Sequence, residues 1–225
     1  MEQYRTGEID VGFNPPMSML VAGPSGVGKT KFVRKFLENV DRLMGAEAPR
    51  CIYWYYAQWQ SDYAEMSVKL GIVFRQGLPS SGDLEEGCLV VMDDLSYEGG
   101  ALLARDMFTK LVHHKRLSVI YIAQNVFAQS KGSRDVTLNA HYICLFRNVA
   151  DATQVAMLAR RIFPANARYM MDAYHDATAK PYGYLLIDLR SMTSDENRLR
   201  TNIFPDDVIG YVYRPLRHGT NSARV

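Results

Sequence analysis

Apolar positions along the chain fall into two alternating signatures: short, mostly apolar runs, and longer stretches in which apolar residues recur three and four apart. The runs at 17–22, 51–56, 72–74, 88–92, 117–123, 141–147 and 184–189 predict strands, most of them buried on both faces. Between them, Phe32, Val33, Phe36, Leu37, Val40, Leu43 and Met44 fall at helical spacing, with Gly45 placed to end the helix. Further helices are expected over 63–70, over 101–112 on Leu102, Leu103, Met107, Phe108 and Leu111, and around Tyr169, Met170, Ala173 and Tyr174. Asp151, followed three residues later by Gln154, predicts the start of another helix, whose buried face is Val155, Leu158, Ala159, Ile162 and Phe163 and which Pro164 stops. Strands alternating with helices throughout predict a three-layer α/β/α sandwich around a mainly parallel sheet.

The first strand and first helix are joined by Gly23-Pro24-Ser25-Gly26-Val27-Gly28-Lys29-Thr30. This is a complete phosphate-binding loop in the context it requires. A strand delivers it to a helix N-terminus, where backbone N–H groups and the positive end of the helix dipole favour a polyphosphate. Lys29 would reach the outer phosphates, and the Thr30 hydroxyl would serve Mg²⁺. A plain glycine-rich turn would not require the Lys-Thr pair.

Two later strands change binding into candidate chemistry. The run 88–92 drives straight into Asp93 and Asp94, the pattern of a Walker B strand that sets an acid beside the phosphate loop. Asp93 is the candidate metal carboxylate, and Asp94 the candidate group to orient or deprotonate a water. The strand 117–123 ends in Gln124-Asn125, and an amide there suits sensing of the outer phosphate. Solvated turn aspartates and a strand-end amide satisfying loop backbone are the plain alternatives.

Charge adds one asymmetry. The 225 residues carry a net +2, yet residues 1–100 hold 9 basic and 14 acidic side chains while 101–225 hold 17 and 10. The second half is therefore the candidate polyanion-facing half, with a mildly biased solvated surface as the alternative. Candidate contacts are the loop 130–134, the aromatic region near Trp59, and Arg214, Arg217 and Arg224. The basic cluster 113–116 reads as an exposed turn. Cys51, Cys88 and Cys144 fall in predicted strands without paired metal-ligand spacing, so they are expected to be unpaired core residues in a reducing compartment. No stretch is long and apolar enough to span a bilayer, and residues 1–14 show no secretory signal. The expected organisation is an N-terminal extension (1–14), a nucleotide-binding domain (15–213) and a flexible basic tail (214–225).

The order of these elements, with the runs HHKRLSVIYIAQNVF, LNAHYICLF, LARRIFP and KPYGYLLIDL, resembles the DNA-packaging ATPases of the HerA/FtsK superfamily. The likeness is to the branch shared by poxvirus-like large DNA viruses and Polinton (Maverick) transposons, and it covers about residues 15–205. It implies a RecA/ASCE-like P-loop NTPase that uses ATP and Mg²⁺, works as a homo-oligomeric ring, and moves double-stranded DNA without sequence preference into a preformed capsid. Capsid or portal components would be further partners, with no membrane involved. An intracellular location in the host, cytoplasmic or nuclear, with virion association, is implied as well. Carried over by residue, Lys29 and Thr30 match the phosphate and Mg²⁺ contacts, Asp93 the metal carboxylate, Asp94 the catalytic acid and Gln124 the sensor. The wider superfamily often has Glu where Asp94 stands. Such motors also use an arginine from the neighbouring subunit; Arg116, which precedes the sensor strand, is the first candidate, with Arg147 and Arg161 as others.

Two further readings remain open from sequence. A nucleoside or metabolite kinase would share the loop but needs an arginine lid, which is not evident; Arg160-Arg161 lies on a helix with an apolar face. A non-hydrolysing, nucleotide-dependent assembly protein would have no use for Asp94 and Gln124.

Overall fold

The computed structural model describes residues 2–5, 12–95, 99–112, 115–126, 133–207 and 210–215. Its strands are β1 (Glu2–Arg5), β2 (Ser18–Ala22), β3 (Ile52–Tyr56), β4 (Val73–Gln76), β5 (Leu89–Asp93), β6 (Ser118–Ala123), β7 (Tyr142–Phe146), β8 (Tyr184–Asp188), β9 (Leu199–Thr201) and β10 (Tyr211–Arg214). They form one sheet in the order β1-β10-β9-β8-β7-β2-β6-β5-β3-β4. From β7 to β4 every pairing is parallel, and from β7 outward to β1 every pairing is antiparallel.

Helices cover both faces, as continuous apolar strands require. Alternate residues of the central strands divide between two cores. Met19, Val21, Trp54, Val91, Ile120, Ile122 and Cys144 pack under α1 (Lys29–Glu38), α2 (Val40–Met44) and α3 (Asp62–Leu70). Leu20, Ala22, Tyr53, Val90, Met92, Val119, Tyr121 and Ile143 face α4 (Gly100–Asp106), α6 (Ala152–Ile162) and α7 (Ala167–Ala177), with Val136 of the intervening α5 (Ser133–Asn139). This is the expected three-layer α/β sandwich.

Several elements differ from expectation for identifiable reasons. The first helix is broken at Asn39, whose side-chain amide donates to the Lys35 carbonyl (2.9 Å), so that 40–44 starts a separate turn ended by Gly45 at φ 60°. The helix after β5 continues from α4 into a π-helix, Met107–Leu111, and its buried face is Ala101, Ala104, Met107 and Phe108, while Leu102 points outward. The strand expected at 72–74 runs over Val73–Gln76. Strands β1, β9 and β10 were not legible: Leu199–Thr201 is only three residues long, yet all three are buried, Arg200 among them. Glu2–Arg5, within the expected extension, pairs with Tyr211–Arg214, so Arg214 belongs to a strand rather than a tail.

The cysteine expectation is corrected. Parallel β3 and β5 align Ile52 with Leu89, which sets the preceding residues Cys51 and Cys88 side by side, and the two form a disulfide with Cα atoms 4.8 Å apart. The Glu85 carboxylate shares that neighbourhood. Cys144 is a buried thiol in the core, as expected, its pKa pushed up by burial. Among the described residues, no helix is long and apolar enough to cross a membrane.

Candidate functional site

Sheet order brings the chemistry together. Strand β6, which leads to Gln124, lies between β2, which leads into the glycine loop, and β5, which ends in Asp93. All three strands are fully buried and end at one edge of the sheet. Two backbone bonds register that edge: the Gly23 amide donates to the Ala123 carbonyl, and the Asp94 amide to the Ile122 carbonyl, both at 3.3 Å. Gly23 and Ala123, 100 positions apart in the chain, are thereby fixed beside one another.

The loop is shaped as an anion cradle. Gly26 and Gly28 take φ values of 81° and 101°, a left-handed region that glycine enters without steric cost. A Cβ on Gly28 would lie 2.8 Å from the Tyr182 ring, and one on Gly23 2.7 Å from Phe146 Cβ, so neither position accommodates a side chain. Helix α1 begins at Lys29, and no acidic or capping side chain occupies its first turn, which leaves its positive end to an external anion. Lys29 Nζ donates to the carbonyls of Gly23 (2.6 Å) and Pro24 (2.8 Å). Burial lowers the Lys29 pKa, against the raising effect of Asp94 and Asp93.

Beside the loop is a cleft of about 390 Å³ lined by Ser25, Gly26, Gly28, Lys29, Thr30, Asp93 and Asp94, among others. The two acids are held differently. Asp93 is 5% exposed and accepts a 2.8 Å hydrogen bond from the Tyr63 hydroxyl through Oδ2. Burial raises its pKa and the Asp94 charge adds to this, while the Tyr63 bond, Lys29 and the adjacent Trp54 indole oppose. Asp94 is exposed, with φ 52°, and the Gln124 amide donates to both of its oxygens at 3.1 and 3.3 Å. Such a left-handed aspartate turns its carboxylate back over the strand end toward Gln124.

The residues fit a triphosphate with a divalent cation. Oxygen donors Thr30 and Asp93 line the same cleft, the hard-oxygen set that Mg²⁺ takes, and the glycine backbone and Lys29 supply the complementary positive groups. The Asp94–Gln124 pair offers a carboxylate oriented by an amide, a pair suited to placing a water.

Not every expected residue converges here. Arg116, in left-handed backbone at φ 50°, lies two residues before the start of β6, at the end opposite Gln124. It lines a separate cavity with Arg50, Glu86 and Ser118 and does not reach its own glycine loop. Arg147 follows β7 and shares a cavity with Pro24 and Val27, on the side of the loop away from the acids; Arg161 is exposed on α6. Trp59 is 55% exposed, with its ring edge-on to Tyr56, Tyr63 and Phe74. Of the loop 130–134, only Ser133 and Arg134 fall within the described residues, where they open α5; His113, His114, Arg217 and Arg224 lie outside them.

Sequence reasoning missed Tyr63 and Tyr182. Tyr63 reads as one more apolar position of a short helix, and only the fold sets its hydroxyl beside a carboxylate 30 residues later. Tyr182 lies in a Pro-Tyr-Gly turn whose left-handed φ of 62° has no signature apart from the flanking Pro181 and Gly183.

No family model and no curated protein matches this chain. Among solved structures it is similar to the genome packaging NTPase B204 of Sulfolobus turreted icosahedral virus 2, solved in complex with sulfate. The likeness has a TM-score of 0.56 at 16% identity and covers 80% of this chain and 95% of that one. At that identity the shared property is the fold: a three-layer α/β sandwich common to this chain and a viral packaging NTPase.

Proposed function

We propose that this chain is an ATP-hydrolysing DNA translocase that packages double-stranded DNA into a viral or virus-like capsid. The observation that carries the proposal is the convergence, along three adjacent buried strands, of a glycine phosphate loop, the Asp93-Asp94 pair and Gln124. The packaging step draws further support from the fold shared with a viral genome packaging NTPase.

In this reading the backbone of Gly26–Thr30 and the Lys29 ammonium hold the β- and γ-phosphates of ATP. Thr30 and Asp93 would hold Mg²⁺, which would supply neutralisation of charge on the phosphate oxygens. Asp94 and Gln124 then share one task. The carboxylate accepts a proton from the attacking water, while the amide keeps the carboxylate turned toward it. Aspartate is one methylene shorter than glutamate, and its left-handed backbone brings the carboxylate close enough for the amide to reach both oxygens. The chain acts as a ring of identical subunits in the host cell, with capsid or portal components as partners. An arginine from the neighbouring subunit completes each site, and Arg116, lying away from its own loop, is the first candidate.

Phosphate release measured with and without double-stranded DNA across a salt series tests the proposal. Turnover stimulated by DNA of any sequence, with the stimulation falling steeply as salt rises because the contacts are to phosphates, is the expected result. Turnover indifferent to DNA at every salt concentration would sink the translocase reading.

A further inference from the structure

We propose that Tyr182 is the platform on which the base of the nucleoside triphosphate stacks, and that the aromatic-floored cavity behind it takes the nucleoside. The inference rests on reading Gly23–Thr30 as the triphosphate cradle and extends that reading to the half of the ligand that the loop does not touch.

The direction of the ligand follows from where the acids lie. Asp93, Asp94 and Gln124 all sit on the β5–β6 side of the loop strand β2. The outermost phosphate must face them, so the nucleoside leaves the loop on the other side, over β7 and β8. On that side lies a cavity of about 580 Å³, and Gly28, Lys31 and Tyr182 line both it and the phosphate cleft, so the two spaces adjoin across these residues. Its floor is a cluster of aromatic rings: Phe32 packs against Tyr184 at 4.7 Å and against Phe204 at 5.4 Å between centroids. A recess floored by aromatic rings and rimmed by polar side chains, Lys35, Asp176 and Asp207 among them, next to an anion cradle offers a stacking surface for a base and polar groups for a sugar.

Tyr182 stands on the ridge between the two spaces. Its φ of 62° is uncommon for a residue with a bulky side chain, and the turn is closed by a 3.0 Å bond from the Gly183 amide to the Lys180 carbonyl. The ring is fixed at its base by contact with Gly28, where a Cβ would intrude, and Lys31 Nζ lies 5.3 Å from its centroid. It nevertheless remains 61% exposed. A large ring held in place by strained backbone, half of it open to solvent and overlooking the path from phosphate cleft to cavity, presents a π-face to a flat ligand. Stacking of one base on one aromatic side chain contributes roughly ten- to a hundredfold in affinity.

Calorimetric titration of the full chain with Mg²⁺-ATP, and separately with Mg²⁺-tripolyphosphate, tests this in Tyr182→Ala and Tyr182→Phe variants. Tyr182→Ala is expected to lose about ten- to a hundredfold in ATP affinity with tripolyphosphate affinity unchanged, and Tyr182→Phe to bind both as the unaltered chain does. In turnover the alanine variant raises KM and leaves kcat in place. Unchanged ATP affinity in Tyr182→Ala overturns the inference. Equal losses for ATP and tripolyphosphate do so too, because the ring would then merely shape the loop through Gly28. If the unaltered chain binds neither ligand, the cradle reading itself fails and the subsite falls with it.

Discussion

Replacing Tyr63 by phenylalanine isolates one bond at Asp93, the carboxylate proposed to hold the metal. The ring is fully buried and stacks on Phe74 with centroids 4.5 Å apart, so Tyr63→Phe keeps the packing and removes only the hydroxyl that donates to Asp93 Oδ2 at 2.8 Å. A hydrogen bond to a charged group is worth about 1.5–3 kcal/mol net, and Asp93, at 5% exposure, has little water to replace it. At about 1.4 kcal/mol per decade this predicts a loss of roughly ten- to a hundredfold in apparent Mg²⁺ affinity, the range usual for the outer partner of a metal ligand. The assay is phosphate release at saturating ATP against Mg²⁺ concentration. The expected curve has its midpoint moved to higher Mg²⁺ with the plateau largely recovered, since Tyr63 orients Asp93 without touching the reacting atoms. A Tyr63→Phe protein with the same Mg²⁺ midpoint as the unaltered chain would refute the role of that bond.

Two other substitutions probe distinct parts of the molecule. Asp94→Asn keeps the shape and, by the reading above, leaves ATP binding intact while slowing turnover by about 10²–10⁴-fold, the usual contribution of a positioned base; single-turnover measurements giving the full rate would remove Asp94 from that role. Asp188 is completely buried and accepts bonds from Arg190 (2.7 Å) and Arg200 (3.1 Å). Burial alone would raise its pKa, but the Arg190 bonds and the charges of both arginines outweigh it and hold the carboxyl below its usual range. The resulting stability is therefore present above the unfolded-state pKa and is lost as pH falls through the lower folded one. Asp188→Asn is expected to cost about 3–5 kcal/mol at neutral pH by denaturant titration, because Arg200 stays buried without that carboxylate. The difference from the unaltered chain should shrink on acidification, and a difference independent of pH would contradict the assignment.

What could be read in advance follows the range over which each feature is specified. The glycine loop and the Asp93-Asp94 strand end are local: eight and seven consecutive residues state the turn, the helix start and the acids. Gln124 was legible because its strand ends in an apolar run, 119–123, that stops abruptly. The antiparallel edge was not. Strand β9 reads Leu-Arg-Thr, a polar-looking triplet that lies in the interior with Arg200 paired to Asp188 of β8 and bonded to the Asn197 carbonyl, and with Thr201 bonded to the Tyr184 carbonyl. The Cys51–Cys88 pairing and the Tyr63–Asp93 bond each depend on which strands neighbour one another. Residue spacing does not encode that order. The turn at Tyr182 depends on a backbone angle, and flanking proline and glycine mark a turn without stating its hand.

The triple of β2, β6 and β5 has a mechanical consequence. Each strand is buried on both faces and bonded along its length to the next, and sliding one by a single residue would turn its apolar side chains to the wrong layer. The first glycine of the loop, the Gln124 backbone and the Asp93 backbone therefore ride on one stiff plate whose internal distances do not adjust. On the proposed function, any signal that starts or stops turnover has to arrive from parts mounted off the plate: side chains that swing above its rim, or a neighbouring subunit leaning against it. The plate keeps the aim constant, and timing is left to what moves over it.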